Sequence, residues 1–412
     1  MRIFSTVRHS IDPSFYYGGL WSASFHPALR QLGHEIVESQ VDLFPASRFM
    51  NVAKDFTLPQ LEIRANITQK IIDELTRAHR KHPIDLVLSY FYNAHIDPAG
   101  IDQIKHLGIP IVNFYCNSIY QFDLVSETAS KVDFSWHAER DARLLYLNVK
   151  ANPIWVQMAA DPKVYHPILS STRNSKACFA GQRYCDRDRL LAALVREKIP
   201  VDIFGSGWLA ETHLDHPNGN SNCADKHNPG SARAYLDAIG ENLKASGLRT
   251  GSLRTIRQAI YAKETRKVMA QLQPHLKGKA GDLADVFSRY EVILNFSNVW
   301  ADGRSGSRLI LHVRLRDFEA PMCRSCYLTG YSDEIEEFYS VGHEIDTYRS
   351  GPELVDKVRF YLRHPLAAEK LREAGYHRAK RDHTWVQRFQ QLFRLTGLSK
   401  QWGYSSANLF RD

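Results

Sequence analysis

The sequence predicts an α/β protein made of two Rossmann-like domains in series, each with a parallel sheet. Three observations carry that expectation. Short apolar runs alternate with segments of helical spacing, the pattern of βα units feeding a parallel sheet. The alternation lapses and restarts near residue 174, which gives two series rather than one. The length, 412 residues, suits two domains of ordinary size.

The elements follow in order. Residues 3–7 form a strand, followed by a turn-rich stretch at 11–13 and by Tyr17-Gly18-Gly19. Trp21, Phe25, Ala28, Leu29 and Leu32 then share one helical face, and Gly33 stands where a left-handed C-cap is expected. Glu35-Ile36-Val37 begins the next strand. Residues 84–89 are an apolar strand after Pro83, 97–107 have helical spacing in Ile101, Ile104 and Leu107, and 109–115 and 132–136 are further strands. In the second series 176–181 is a strand, 186–197 a helix and 201–205 a strand. Residues 209–231, rich in Gly, Asn, His and Asp, read as a surface loop. A mostly helical stretch follows to about 275, and 290–296 is again a strand. Ser350 with Glu353 and Thr384 with Gln387 match capping boxes, and Pro365 opens the helix between them. The expected division is 1–170, 171–395 and a C-terminal tail 396–412. Two such domains place a cleft between the carboxyl ends of the two sheets, where helix N-termini favour an anionic ligand.

Composition narrows the partners. With 44% hydrophobic and 24% charged residues the chain is globular rather than disordered. No run approaches the roughly 18 apolar residues of a membrane span. Residues 1–7 enter a strand directly, without the apolar core of a secretory signal, so the expected location is the cytoplasm or the inner face of its membrane. The net charge of +8 favours an anionic partner, and the basic face over 370–381 could touch anionic lipid. Basic residues are interspersed with acids and no nucleic-acid module is present, so nucleic acid is not expected. Six cysteines make no disulfide framework, and the single CxxC, Cys323 and Cys326, lacks the second pair of a structural zinc site. His213, His216, Cys223 and His227 have zinc-compatible spacing inside a segment of ordinary loop composition.

A signature lies in the last hundred residues. It runs Arg316-Asp317-Phe318-Glu319-Ala320-Pro321-Met322, Leu328-Thr329, Ser332-Asp333-Glu334, Tyr348-Arg349-Ser350 and His383-Thr384-Trp385, closing on Arg388-Phe389. Upstream stand Phe179-Ala180-Gly181-Gln182-Arg183 with Arg187, and Met158-Ala159-Ala160-Asp161-Pro162 with Tyr165 and Pro167. This ordered set resembles the CgeB-like glycosyltransferases, related to group 1 (family 4) enzymes of the GT-B fold. The resemblance implies transfer of a sugar from a nucleoside diphosphate sugar to an acceptor hydroxyl on a surface glycan, a lipid-linked glycan, a protein or a small molecule. It implies no metal and no cofactor, since basic side chains and helix ends neutralise the diphosphate.

The resemblance assigns Glu319 to the ribose hydroxyls of the donor, because a carboxylate accepts two hydrogen bonds from a diol. An ion pair with Arg316 is the structural alternative. Arg183, Arg187, Ser297, Arg316 and Arg324 are donor-site candidates, with Arg304 and Arg308 behind them. Gly18 and Gly19 are read as a loop that lets backbone approach the donor. His95, Asp97 and Asn117, in loops after the third and fourth strands, are the candidates for proton transfer or hydroxyl orientation, with His137 and Asn93 nearby. Two departures stand out. Leu311 occupies the place of an earlier glutamate in the relatives, and Arg324 falls where they have small glycines. Both features motivate a catalytically silent GT-B scaffold as the competing expectation.

Overall fold

The computed structural model describes residues 1–12, 16–168, 172–208, 264–301 and 307–398. The chain divides into two units. The first is Met1–Asp161 together with the segment that begins at His383, and the second is Pro162–Asp382. This differs from the expected 171–395 domain: the last helix joins the first unit. The reason is aromatic burial, set out below.

The first unit holds a six-stranded sheet. In chain order its strands are β1 (Arg2–Thr6), β2 (Glu35–Glu38), β3 (Leu86–Ser89), β4 (Ile111–Tyr115), β5 (Phe134–His137) and β6 (Pro153–Trp155), and in space the order is β2-β1-β3-β4-β5-β6. Every pairing is parallel. β3 and β4 are buried along their whole length, as a parallel strand covered on both faces must be. Gly33 ends the helix Tyr16–Gln31 at φ +80°, in the left-handed region that its C-cap position requires. Gly18 and Gly19 lie inside that helix, in its first turn, so they are not the open loop expected of them. The backbone carbonyl of Gly18 accepts from the N–H of His9.

The helix Leu58–Lys81, the longest of the described residues, connects β2 to β3 behind a Thr57–Gln60 capping box. Asp97 caps the helix Pro98–His106 by accepting from the Ala99 N–H at 2.9 Å.

The helix Trp385–Leu395 starts with the expected Thr384–Gln387 capping box. Its Trp385 packs edge-on against Phe25 at 4.8 Å, and Phe389 packs against Phe25 and Trp136 at 5.3 and 5.6 Å. Arg388 Nε donates to the carbonyl of Met158 at 3.0 Å. Burying Trp385 and Phe389 here removes large apolar surfaces from water, which fixes the segment to the first unit.

The second unit has a five-stranded sheet of β7 (Asn174–Ala180), β8 (Val201–Phe204), β9 (Tyr290–Asn295), β12 (Tyr327–Gly330) and β13 (Asp346–Tyr348), ordered β13-β12-β9-β7-β8 and parallel throughout. A short antiparallel pair, β10 (Val299–Trp300) and β11 (Leu309–Ile310), lies outside it. Read from its first strand, this sheet repeats the order of the first unit: the second strand flanks the first on one side, and the third, fourth and fifth follow on the other. Each sheet therefore has a topological switch point between its first and third strands, where α/β folds gather ligands at the carboxyl ends.

Ser350 caps the helix Gly351–Arg363 from the Glu353 N–H at 3.3 Å. The Glu353 carboxylate turns to the N–H of Arg349 at 2.8 Å instead of Ser350, so only half of the expected capping box forms. In the helix Pro365–Asp382, Arg372 is buried and bonded to Glu291, which removes it from the expected solvated basic face.

Candidate functional site

The switch point of the second sheet lies between β7 and β9. Its β7 side is the run Gly181 to Arg187, and its β9 side is Phe296-Ser297-Asn298. The two sides are tied together. The amide of Asn298 donates to both carboxylate oxygens of Asp186, at 3.2 and 3.3 Å. The neighbouring loop after β8 closes in through Gly205, whose φ is +131°; a Cβ there would collide with the carbonyl of Gly181. Arg183 N–H donates to the Ser206 carbonyl at 2.9 Å.

Two arginines occupy this corner. Arg187 opens the helix Arg187–Arg196. It lies over the rings of Phe179 and Tyr184, and its Nη1 donates to the Gln182 carbonyl at 2.8 Å. Burial weakens its hold on its proton, although a guanidinium stays charged. Arg183 reaches Asp188 at 3.4 Å. The Nε donors of both arginines are buried and have no hydrogen-bond partner. Buried donors left unpaired are costly, so two on adjacent side chains mark a place that suits an added acceptor group.

Behind this corner lies a closed polar cluster that sequence reasoning missed. Asp317 is buried and accepts from the Arg314 N–H at 2.6 Å, the Tyr327 hydroxyl at 2.9 Å and Asn295 Nδ2 at 3.3 Å. Ser297, a donor-site candidate, takes part in it: its hydroxyl accepts from Asn295 at 2.7 Å and donates to Asp317 at 3.4 Å. Burial pushes the Asp317 carboxyl up, and its hydrogen bonds oppose that push. The sequence signal was Asp317 inside the signature, two residues before the more conspicuous Glu319.

Glu319 is 3% exposed on the helix Arg316–Met322, and Arg316 ion-pairs with its Oε2. The structural alternative for these two residues is thus present in the fold. Arg324 is displaced from the donor role expected of it. It adopts the left-handed conformation at φ 56° and its guanidinium is held by Glu373 at 2.7 Å and by Glu369. Two carboxylates already neutralise it, so it has little to offer a phosphate. Leu311 is about half exposed. Arg308 is exposed beside β11; Arg304, the 213–227 His/Cys segment and residues 399–412 lie outside the described residues. Cys323 and Cys326 are buried with thiols pushed up by burial, which keeps them protonated. No group of three or more metal-ligating side chains forms among the described residues.

The proton-transfer candidates fare differently. His95 is completely buried and both ring nitrogens are engaged: Nδ1 accepts from the Tyr92 N–H at 3.1 Å, and Nε2 meets the Ser47 hydroxyl at 2.9 Å. It has no lone pair left for an acceptor. Asp97 is spent on its helix cap. Asn93 donates to the carbonyls of Ala53 and Asp123 and accepts from Thr128, which makes it a buried structural brace. Asn117 precedes the helix Ser118–Gln121 without a side-chain capping bond. His137 stacks on Tyr146 and is sealed in, with its Nδ1 bonded to the Glu139 carbonyl. The imidazole that does sit at the switch point of the first sheet is His9, just after β1, packed against Tyr90 and His95 from the loop after β3. Among 18 histidines, nothing in its immediate sequence distinguished it.

Comparison with known proteins agrees with this geometry. Residues 249–394 match the family described as glycosyl transferase-like. No curated protein matches the chain in sequence. Among solved structures, a glycosyltransferase from Rickettsia africae ESF-5 is 11% identical, with 96% of this chain and 98% of that chain covered and a TM-score of 0.55. HepE of Anabaena, solved in complex with UDP-glucose, is 10% identical over 97% of this chain and 99% of its own, with a TM-score of 0.53. AviGT4, a glycosyltransferase involved in avilamycin A biosynthesis, is 13% identical over 96% and 97%, with a TM-score of 0.54. The fold is therefore that of the GT-B proteins, two Rossmann-like domains. Fold and matched segment together define a glycosyltransferase.

Proposed function

We propose that the chain moves a hexosyl unit from a nucleoside diphosphate sugar to an acceptor hydroxyl, as a CgeB-like transferase. The observation that carries this reading is the pair of unpartnered, buried Nε donors of Arg183 and Arg187 at the carboxyl end of β7. A diphosphate is the ligand class that would satisfy both, since guanidinium groups bind phosphate oxygens with charge-assisted hydrogen bonds. HepE was solved with UDP and with UDP-glucose, which makes uridine the first base to try.

In this reading Arg183 and Arg187 neutralise the leaving diphosphate, so the reaction needs no metal. Glu319 accepts from the ribose hydroxyls through the carboxylate oxygen that its ion pair leaves over. Acceptors are glycans, lipid-linked or protein-linked, or small molecules, and the work is surface glycan synthesis in the cytoplasm. No helix of the described residues is long and apolar enough to cross a membrane. A lipid-linked acceptor would be met at the inner face of the membrane, where the net charge of +8 suits an anionic surface.

The test is calorimetric titration with UDP, GDP and dTDP and their hexoses, without added metal. A selective ligand whose binding is lost in Arg183→Ala/Arg187→Ala supports the reading. No binding by any of them at millimolar concentration would return the weight to a silent scaffold.

A further inference from the structure

The transferase reading leaves the acceptor open between glycans and small molecules. We propose that the first unit carries a groove for the neutral sugar residues of an oligosaccharide acceptor, apart from the switch point and complete within that unit. This rests on the transferase reading and names its acceptor class.

The segment after β2 and the helix Leu58–Lys81 enclose a cavity of about 490 Å³. Gln40, Val41, Asp42 and Pro45 form one wall, and the helix face from Ile63 to Arg77 forms the other. At 1.5 Å of rise per residue that face is about 21 Å long, a trough rather than a pit. Its walls are fixed in advance. The Glu74 carboxylate accepts from the Ser39 hydroxyl at 2.6 Å and from the Gln40 N–H at 2.9 Å. Asp42 accepts from the Phe44 N–H at 3.2 Å, at the start of the short helix Phe44–Ser47. Walls already ordered lose little further entropy when a ligand binds.

The lining mixes apolar surface with spare donors and acceptors. Val41, Pro45, Ile63 and Ile67 are apolar, and polar groups stand between them. The Asn66 amide and the Lys70 ammonium have no hydrogen-bond or ion-pair partner among the described residues. Arg77 engages only its Nε, on the Asp73 carbonyl at 3.3 Å. Asp42 and Asp73 each spend one carboxylate oxygen, on the Phe44 N–H and the Gln69 amide, and keep the other. A sugar ring has the matching surface: C–H faces ringed by hydroxyls that both donate and accept. Charge then selects among such ligands. Asp42, Asp73 and Glu74 oppose Lys70 and Arg77, so the groove is slightly acidic in a chain of net charge +8. A phosphate or polyanion finds no complementary field there, whereas an uncharged polyhydroxyl chain finds a partner for each end of a hydroxyl.

The groove also lies in a useful place. Residues 39–45 leave the carboxyl end of β2, the neighbour of β1 in the sheet. Ser47, where that wall ends, meets Nε2 of His95 at 2.9 Å, and His95 packs on His9 at the switch point of the same sheet. Groove and switch point thus share a wall. A glycan with its end at the switch point runs past this wall into the groove, which holds the residues behind the terminal sugar.

The experiment uses the full chain with maltohexaose, cellohexaose and chitohexaose as neutral probes, and hyaluronan and polygalacturonate fragments as anionic ones. Saturation-transfer NMR ranks them and titration calorimetry measures affinity, with UDP titrated alongside. The variants are Asn66→Ala/Lys70→Ala, which removes the spare donors, and Asn66→Tyr, which fills the trough. Both positions are exposed, so the variants should fold, and melting temperature checks this. The expected result is binding of a neutral probe by wild type, weakened about tenfold or more in both variants. Glu62→Ala, on the same helix outside the groove, should leave it unchanged. No binding of any neutral probe at millimolar concentration, a preference for the anionic fragments, or binding untouched by both variants overturns the inference. So does a dimer in sedimentation that Asn66→Tyr disperses, which would assign the groove to a second copy of the chain. UDP binding without glycan binding overturns the inference and leaves the transferase reading intact. Glycan binding without binding of any nucleotide donor removes the transferase reading, and the acceptor role of the groove falls with it.

Discussion

The loops after β1 and β3 and those after β7 and β9 occupy the same place in two sheets of the same strand order, yet their chemistry differs. The first corner is aromatic and neutral: the rings of His9, Tyr90, Tyr92 and His95 pack against one another, and burial holds the imidazoles uncharged and the phenols protonated. The second corner is ionic, with Arg183, Asp186, Arg187 and Asp188 within six residues of chain. The fold supplies the position and the residue types supply the function. A neutral corner suits a hydroxyl, and a cationic one suits a diphosphate.

Acid should separate the two units most strongly. Burial pushes His26 and His137 of the first unit down to about 4. Unfolded, both rings take a proton near pH 6.5, whereas folded they resist until about pH 4. Their contribution is therefore complete above pH 6.5 and is lost as pH falls through that window. A shift of this size amounts to about 3 kcal/mol for each ring. In the second unit burial raises the carboxyls of Asp188 and Asp317, so their contribution moves the other way as pH falls. Hydrogen exchange read peptide by peptide from pH 7 to 4.5 should show the first unit loosening before the second. Simultaneous loosening would break the comparison.

Next in size is Trp385→Ala. The side chain fills space between Phe25, Trp21 and Trp136, and emptying it should cost the first unit about 3–5 kcal/mol. Urea unfolding followed by the same exchange readout checks it. Protection of the second unit by a bound nucleotide should survive, since that corner holds none of these rings. If nucleotide binding were lost as well, the two corners would not be independent.

Much of this was legible in the sequence. The alternation of apolar runs gave the strands, Gly33 and the Thr384 cap gave helix ends, and the Arg183–Arg187 spacing marked the ionic corner. What was hidden depended on neighbours distant in sequence. The helix Leu58–Lys81 buries Arg64 and Thr68 along with its isoleucines, so its apolar stripe is broken. Arg64 is tolerated there because Glu127 and the Ile96 carbonyl receive it. His95 looked available until Ser47 and Tyr92 were seen to claim both nitrogens. His9 looked ordinary because its tautomer is set by a carbonyl 81 residues away. Arg324 looked like a phosphate ligand until Glu369 and Glu373, on another helix, proved to hold it.

The ionic corner itself is tested by Arg183→Ala and Arg187→Ala. Each should weaken UDP binding by about tenfold to a hundredfold, the worth of a charge-assisted hydrogen bond. Titration calorimetry measures it. The loss should shrink at high salt for Arg183, and less so for Arg187, which lies over Phe179 and Tyr184.

The smallest effect is expected at Glu319, and it decides what that residue is for. If Oε1 accepts a ribose hydroxyl, Glu319→Gln should lower UDP affinity by up to about tenfold, while affinity for inorganic diphosphate, which has no ribose, stays unchanged. Arg316→Ala removes the ion pair but leaves the carboxylate, so it should weaken UDP binding less than Glu319→Gln. If both variants instead lower the melting temperature alike and leave UDP affinity untouched, Glu319 is only the partner of Arg316. The ionic corner would then extend no further than Arg183, Arg187 and the Asp186–Asn298 tie beside them.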